Sequence, residues 1–445
     1  NAIWTKFRNK KNLYSGGHRP YLPPSPLPHG DFQPQGSFYT TPRRSLELHK
    51  PYNALGVARD TNPSQPVTLI RPHAATRAAR FFSEKFPGTT MYAVKANPSP
   101  ELIRTLWDGG IKVYDVASIA EVRLVRGLLP DATLCFMHPV KAPEAIAEAY
   151  FEHGVRTFSL DNLEELAKVV AATKGATDLT LCVRLRVSSA HSKLSLASKF
   201  GVGVEDAAPL LMAARQASDA LGICFHVGSQ AMSPQAYSDA LSLVRAAIVS
   251  AGVTVDVIDV GGGFPSIYPG MEPGELTRYF DVIHAAFEAL PISYSAELWC
   301  EPGRALSAEY ASIIVRVEQR RDDVLYINDG AYGALFDAAH VDWRFPAALL
   351  RDTPSRAKDM AFSFYGPTCD DMDFMRGPFM LPADVQAGDY LEIGMLGAYG
   401  CAMRTAFNGF TNGDTVVVSD EPMDSAYGDT EVTPSVVTPI RKVNS

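Results

Sequence analysis

No run of eighteen apolar residues occurs in this 445-residue chain, so nothing in it reads as a membrane-spanning helix. Cysteine is sparse. Cys135, Cys182, Cys224, Cys300, Cys369 and Cys401 are scattered without a CxxC pair, and four of them lie in or at the end of apolar strand-like runs. There a reduced thiol packs as a small hydrophobe, so a reducing cytoplasmic setting is the simplest inference, with no metal called for. Excess positive charge is also missing: the formal net charge of −8 argues against nucleic acid and mildly favours a cationic substrate. Residues 1–30 contain no acid, only five Lys or Arg, and then run through Pro20, Pro23, Pro24, Pro26 and Pro28. Residues 1–50 therefore read as an extended arm without a core of its own. They lack the apolar segment of a secretory signal and the amphipathic helix of a transit peptide.

What is present is an ordinary globular composition, 46% hydrophobic and 20% charged, long enough for two domains. From residue 90 strand-like runs recur at Met91–Val94, Val113–Val116, Thr133–Met137, Val155–Leu160, Leu179–Val187, Gly222–Val227, Val255–Val260 and Ala296–Cys300. Helical patterns separate them, such as Pro143–Glu152, Leu163–Val170, Tyr237–Ser250 and Leu276–Leu290. Such alternation predicts a parallel α/β architecture, and eight repeats match a (β/α)₈ barrel, with a doubly wound open sheet as the alternative.

In either fold, function collects where strands end. Lys95, Asp115, His138, Asp161, Arg184, His226, Gly261-Gly262-Gly263 and Glu301-Pro302-Gly303-Arg304 all fall there. Strand ends meet solvent and are polar anyway, but that does not account for three consecutive glycines. Adjacent glycines cost backbone entropy and are expected where another group approaches the main chain closely. Following a strand and preceding a helix, their N–H groups suit a phosphate. They do not form a dinucleotide fingerprint. Lys95 ends a short apolar run before Asn97-Pro98. Apolar surroundings make an amine lose its proton more easily, as a carbonyl-capturing lysine requires. A lysine for a carbonyl, glycines for a phosphate, Glu301 for a ring nitrogen and His226 to stack on a ring together outline pyridoxal 5'-phosphate.

These segments, with Tyr92-Ala93-Val94-Lys95, Asp115-Val116-Ala117-Ser118, His226-Val227-Gly228-Ser229-Gln230, Tyr365-Gly366-Pro367-Thr368-Cys369-Asp370 and Gly397-Ala398-Tyr399, resemble the ornithine/lysine decarboxylases of the alanine-racemase-like fold. The resemblance covers roughly residues 60–415 in the family's order, and seven ordered motifs are far more specific than any one. It implies that Lys95 carries the cofactor, that His226 stacks on it and that Glu301 holds its ring nitrogen. It also implies that Ser229, Gly263, Arg304 and Tyr399 bind the phosphate, with Gly261, Gly262 and Gly303 beside it, and that Asp115, Glu121 and Arg184 surround Lys95.

After the arm over 1–50, which is atypical of that family, the same resemblance implies three segments: residues 51–85 joining a β domain, a cofactor-binding barrel over 86–305, and a C-terminal β-sandwich or barrel domain over 306–445. It further implies a homodimer in which Cys369 and Asp370 reach the partner's active site. A thiol there can protonate the substrate's α-carbon, and Asp370 can receive a distal ammonium. The segment after Asn328-Asp329-Gly330-Ala331-Tyr332-Gly333 is shorter than the family's usual one. Either Asp337 or Asp342, or neither, then holds the distal amine, with Tyr399 bordering the substrate. Decarboxylation of ornithine or lysine is the leading expectation. A racemase of the same fold and a non-catalytic regulator are the alternatives.

Overall fold

Eight short apolar runs become eight parallel strands: Thr89–Ala93, Val113–Val116, Thr133–Phe136, Thr157–Leu160, Thr180–Arg184, Ala220–Cys224, Val257–Asp259 and Glu297–Cys300. They pair in chain order, and Trp299 and Cys300 of the last meet Thr89 and Thr90 of the first, so the sheet closes into a barrel. Closure excludes the open-sheet alternative. This computed structural model describes residues 52–427, apart from Ala197 and Asn412. The arm expected over 1–50 and the chain's last residues lie outside the described residues.

Side chains of successive strand residues separate into two environments, as a pleated strand requires. Leu134 and Phe136 join the large core between strands and helices, while Cys135 and Met137 cluster with Met91, Cys182 and Cys224. The helices outside carry local stop and start signals. Ser118 Oγ accepts from Glu121 N at 3.2 Å, and Glu121 Oε2 accepts from Ala117 N at 2.7 Å. The pair resembles a capping box, with the Glu121 bond made one residue before the Ser118 cap. Asn162 Oδ1 caps the helix Leu163–Ala172 through Glu165 N at 2.7 Å. Among the described residues no helix is long and apolar enough to cross a membrane.

The second sheet is built on the long strand Ala311–Arg321. Its first half pairs with Val67–Ile70 on one edge and Tyr390–Ile393 on the other. After an irregularity between Val317 and Gln319 its second half pairs with Val324–Ile327, and the sheet continues through Asp359–Tyr365 to Phe374–Pro382. Ala347–Leu350 and Thr415–Val417 complete the eight strands of this curled sheet. Val67–Ile70 thus belongs to the β sheet, whereas the next helix, Pro72–Lys85, places Ala75, Ala78, Ala79 and Phe82 in the barrel core.

Arg71 stands where the chain passes from that strand to that helix. It is 1% exposed and donates to Glu392 Oε1 at 2.8 Å, Ser312 Oγ at 2.8 Å and Asp420 Oδ1 at 3.1 Å. Removing one member of a buried pair leaves the other charge without compensation. Arg71→Met is therefore expected to lower stability by about 3 kcal/mol in urea unfolding. A loss smaller than about 1 kcal/mol would show that the network has little energetic weight.

Candidate active site

The carboxyl ends of the barrel strands enclose a cavity of about 370 Å³, lined by Lys95, Asp115, His138, Arg184, His226, Ser229, Gly262, Gly263, Glu301, Gly303, Arg304 and Tyr399. Most residues singled out in the sequence meet here. Lys95 is surrounded by protein, with 42% of its side-chain surface facing the open cavity. Its Nζ donates to Asp115 Oδ2 at 2.9 Å. The expectation of an apolar, easily deprotonated lysine is overturned. Burial alone would lower its pKa, but the Asp115 and Glu301 carboxyl groups outweigh burial and hold it above its usual value. Without a second ligand in the cavity, Lys95 is a paired ammonium.

His226 is half-buried, and its Nδ1 accepts from Gly228 N at 3.0 Å. Desolvation, aided by the Arg184 and Lys95 charges, pushes its pKa well below the usual 6.5, so the ring is neutral. The glycine triplet supplies the close approach. A Cβ on Gly262 would lie 2.7 Å from Glu301 O and 3.0 Å from His226 Nε2, and Gly263 has φ +101°. Gly261 does not line the cavity. At φ +67° it turns the chain, and a Cβ there would strike Phe225 O at 2.0 Å. No helix follows the triplet directly, since the next begins at Leu276. Its N–H groups therefore act without the helix end that the sequence reading supposed.

Arg304 is 5% exposed. It donates to Tyr268 Oη at 3.1 Å, reaches Asp337 Oδ2 only at 3.5 Å, and has the Trp343 ring 4.1 Å from its guanidinium carbon. Its Nε has no acceptor among the described residues. Asn97 Nδ2 donates to Gly397 O at 2.8 Å and Tyr399 N to Ala96 O at 2.7 Å, so the loop bearing Tyr399 is bonded to the loop bearing Lys95.

Other expected residues fall elsewhere. Glu121 caps its own helix and does not line the cavity. Asp337 answers Arg304, and Asp342, at φ +54°, lines a different cavity with Lys193 and Arg344. Cys369 and Asp370 line a third, which shares no lining residue with that of Lys95. Cys369 is exposed, its Sγ 3.3 Å from Asn408 Oδ1. Tyr332 Oη donates to Asp370 and lowers its pKa. Buried Asp373 shapes that loop: its carboxylate accepts from Ala331 N at 2.7 Å, Thr368 N at 3.1 Å and Thr368 Oγ1 at 2.8 Å. Sequence reasoning missed Asp373, Tyr268, Trp343 and the rim formed by Lys199 and Phe200. Asp373 follows Cys369 by four residues in a Gly/Pro-rich loop, which was the available signal.

A lysine-bearing barrel mouth roofed by a loop from a β sheet defines a pyridoxal-phosphate enzyme of the alanine-racemase-like fold. A family model described as the pyridoxal binding domain of pyridoxal-dependent decarboxylases matches residues 73–308. Over 340 residues the chain is 32% identical to the lysine/ornithine decarboxylase of Selenomonas ruminantium, covering 74% of this chain and 84% of that one. Among solved structures, the arginine decarboxylase of Paramecium bursaria Chlorella virus, bound to agmatine, superposes with a TM-score of 0.72 at 26% identity, over 81% of this chain and 98% of that one. The lysine/ornithine decarboxylase of Vibrio vulnificus, complexed with putrescine, gives 0.69 at 27% identity, over 82% and 99%. The chain belongs to the ornithine/lysine family of pyridoxal-dependent decarboxylases. Its cavity suits that cofactor: an amine, buried carboxyl groups, a flat imidazole, a glycine wall and a guanidinium with an unpaired N–H.

The state of His226 sets a pH dependence. Its folded pKa is depressed, so the unfolded chain binds more protons once the pH drops below the usual 6.5, and stability falls on that side. Without cofactor, the urea midpoint should decline between about pH 7.5 and about pH 5.5, and His226→Phe should reduce that decline. An identical decline in the variant would refute the neutral ring.

Proposed function

We propose that this chain decarboxylates a basic L-diamino acid, ornithine or lysine, as a homodimer whose active sites are shared between subunits, and so supplies putrescine or cadaverine. The convergence of Lys95, Glu301 and Arg304 on one cavity, in a chain of this family, carries the reading.

Lys95 Nζ would be the amine that holds the cofactor's carbonyl group. Asp115, 2% exposed, holds that ammonium in position between exchanges. Glu301 would hold the ring nitrogen and His226 would stack on the ring. Arg304, Ser229, Gly262, Gly263, Gly303 and Tyr399 would hold the phosphate. The bound cofactor supplies the electron sink for the pair left when carbon dioxide departs. Keeping water out of the barrel mouth and returning a proton to the α-carbon fall to the protein.

The proton donor in this reading is Cys369 of the partner subunit, with the partner's Asp370 receiving the distal ammonium. Two observations support a second copy there. Within one chain Cys369 and Lys95 line separate cavities. The surface around Cys369 is also apolar and exposed, with Met372 at 61%, Phe407 at 41% and Phe410 at 43%. Such patches mark association sites. Asp370 stays ionised through its bond from Tyr332, which suits a cationic substrate end. Asp342 has no part in this reading, and Asp337 serves Arg304 before any substrate. Four buried free thiols, Cys135, Cys182, Cys224 and Cys300, suit a cytoplasmic setting.

Release of labelled carboxyl carbon should be at least about tenfold faster, in kcat/KM, from ornithine or lysine than from arginine, the size of one distal-group contact. No release from any basic amino acid would sink the reading. Lys95→Ala should abolish covalent cofactor retention and slow turnover by about 10³-fold or more. Mixed and exchanged with Cys369→Ala, it should recover about a quarter of wild-type activity, since half the dimers then hold one intact site of two. No recovery after verified exchange would place both residues in one chain's site or make Cys369 a bystander.

A further inference from the structure

The seventh barrel strand ends in a carboxyl group that the reaction as described leaves unused. Asp259 has no exposed surface. Its Oδ1 accepts from Gly261 N at 2.9 Å, and its Oδ2 has no donor among the described residues. The seventh and eighth strands pair with Asp259 opposite Trp299, two residues before Glu301, and Glu301 N donates to Gly261 O at 2.8 Å. That register carries the two side chains to one side of the sheet, where the buried Asp259 carboxyl, one oxygen unpartnered among the described residues, neighbours that of Glu301. Glu301 is itself only 5% exposed. Ionised carboxylates only accept hydrogen bonds, so two of them cannot bond to each other. One proton held between them would give the unpartnered Asp259 oxygen its donor.

We propose that Asp259 is a positioning residue that shares one proton with Glu301 and thereby fixes which way the Glu301 carboxyl faces. One Glu301 oxygen is engaged by Asp259, and the other is left for the cavity. The inference rests on Glu301 as the partner of the cofactor's ring nitrogen. It gives that partner a second residue which touches neither cofactor nor substrate.

The surroundings agree with a single proton. Burial, with the Asp115 charge beside it, pushes Asp259 up to about 6, and burial with the Asp259 and Asp115 charges pushes Glu301 well above the usual carboxyl range. The charged groups facing the pair are Asp115 from the second strand, Lys95 after the first and Arg184 on the fifth. The remaining titratable neighbours are the thiols of Cys135, Cys182, Cys224 and Cys300, which burial keeps protonated. With one proton shared, the pair carries one negative charge instead of two, which the nearby ammonium and guanidinium can balance.

Infrared spectra of the cofactor-free protein near neutral pH test the shared proton directly. Wild type should show a carboxylic-acid C=O band that is lost in both Asp259→Asn and Glu301→Gln, because either amide can donate to the remaining ionised carboxylate. No such band in wild type, or a band that survives both substitutions, would overturn the proposal. If Asp259→Asn fails to fold, wild type and Glu301→Gln still decide the question. Positioning is read from cofactor affinity. Asp259→Ala should weaken pyridoxal phosphate binding about tenfold, and Asp259→Asn should stay within about threefold of wild type, as expected for loss or retention of one buried hydrogen bond to a charged group. Wild-type affinity in Asp259→Ala would remove the positioning role. Unchanged affinity in Glu301→Gln would instead overturn the reading of Glu301 beneath it.

Discussion

Three buried carboxyl groups, Asp115, Asp259 and Glu301, crowd the barrel mouth beside Lys95 and Arg184, and the site depends on keeping that set close to neutral. An isolated buried carboxylate is costly, and the thiols and the hydroxyls of Thr90, Thr157 and Ser159 buried in the barrel carry no charge to balance one. Met91, Cys135, Met137, Cys182 and Cys224 fill the barrel beneath, so the charges must be answered sideways. Asp115 answers Lys95 at 2.9 Å, and Asp259 and Glu301 answer each other. The thiol-lined floor is thus part of the electrostatics: it forces the ionisable groups into pairs whose geometry is fixed by strand register.

The curled sheet contributes to chemistry on two different faces. On one, Gly397 lies so close to the helix Arg304–Ser307 that a Cβ would stand 1.8 Å from Ser307 O, and this contact delivers Tyr399 to the cavity. On the other, Asp373 packs against Gly330 and Gly366, where added Cβ atoms would each lie 2.1 Å from its Oδ1. That tight junction holds the Cys369 loop in shape although Cys369 itself is exposed. The loop is thus organised by a buried carboxylate while its thiol faces outward.

The barrel was legible because its signals are local. Val113–Val116 was read to the residue, and the other barrel strands were placed with errors only at their ends, where flanking apolar residues such as Val155 and Val187 extend the pattern beyond the hydrogen-bonded ladder. In the second sheet Ala347–Leu350, Asp359–Tyr365 and Phe374–Pro382 are not singled out by the sequence. Their side chains are largely half-buried or exposed, and Gly377 and Pro378 interrupt the last of them, so no clean alternation reaches the sequence. The residues of the site could be read from strand ends, whereas their charge states could not. Lys95 looks apolar along the chain because its neighbours in sequence are Val94 and Ala96, while its neighbours in space, Asp115 and Glu301, come from other strands. Asp259 escaped for the same reason, since only the register of two adjacent strands brings it to Glu301.

Tyr399 gathers these constraints at one residue. Its φ of +64° lies in the left-handed region, which costs a non-glycine residue on the order of 1 kcal/mol. Such a conformation persists only when the surroundings over-determine it. Here the bond from Tyr399 N to Ala96 O and the bond from Asn97 to Gly397 O clamp the backbone on both sides. The clamped ring stands 5.0 Å from the Arg304 guanidinium, with Trp343 at 4.1 Å and Tyr268 at 5.7 Å. Aromatic faces stabilise a cation without taking up its N–H donors. Arg304 thus remains charged and buried with donor capacity to spare, its one carboxylate partner at the long distance of 3.5 Å. A fold that strains one residue to surround a cation with rings, when an ion pair would satisfy it more directly, keeps that cation available for an anionic ligand.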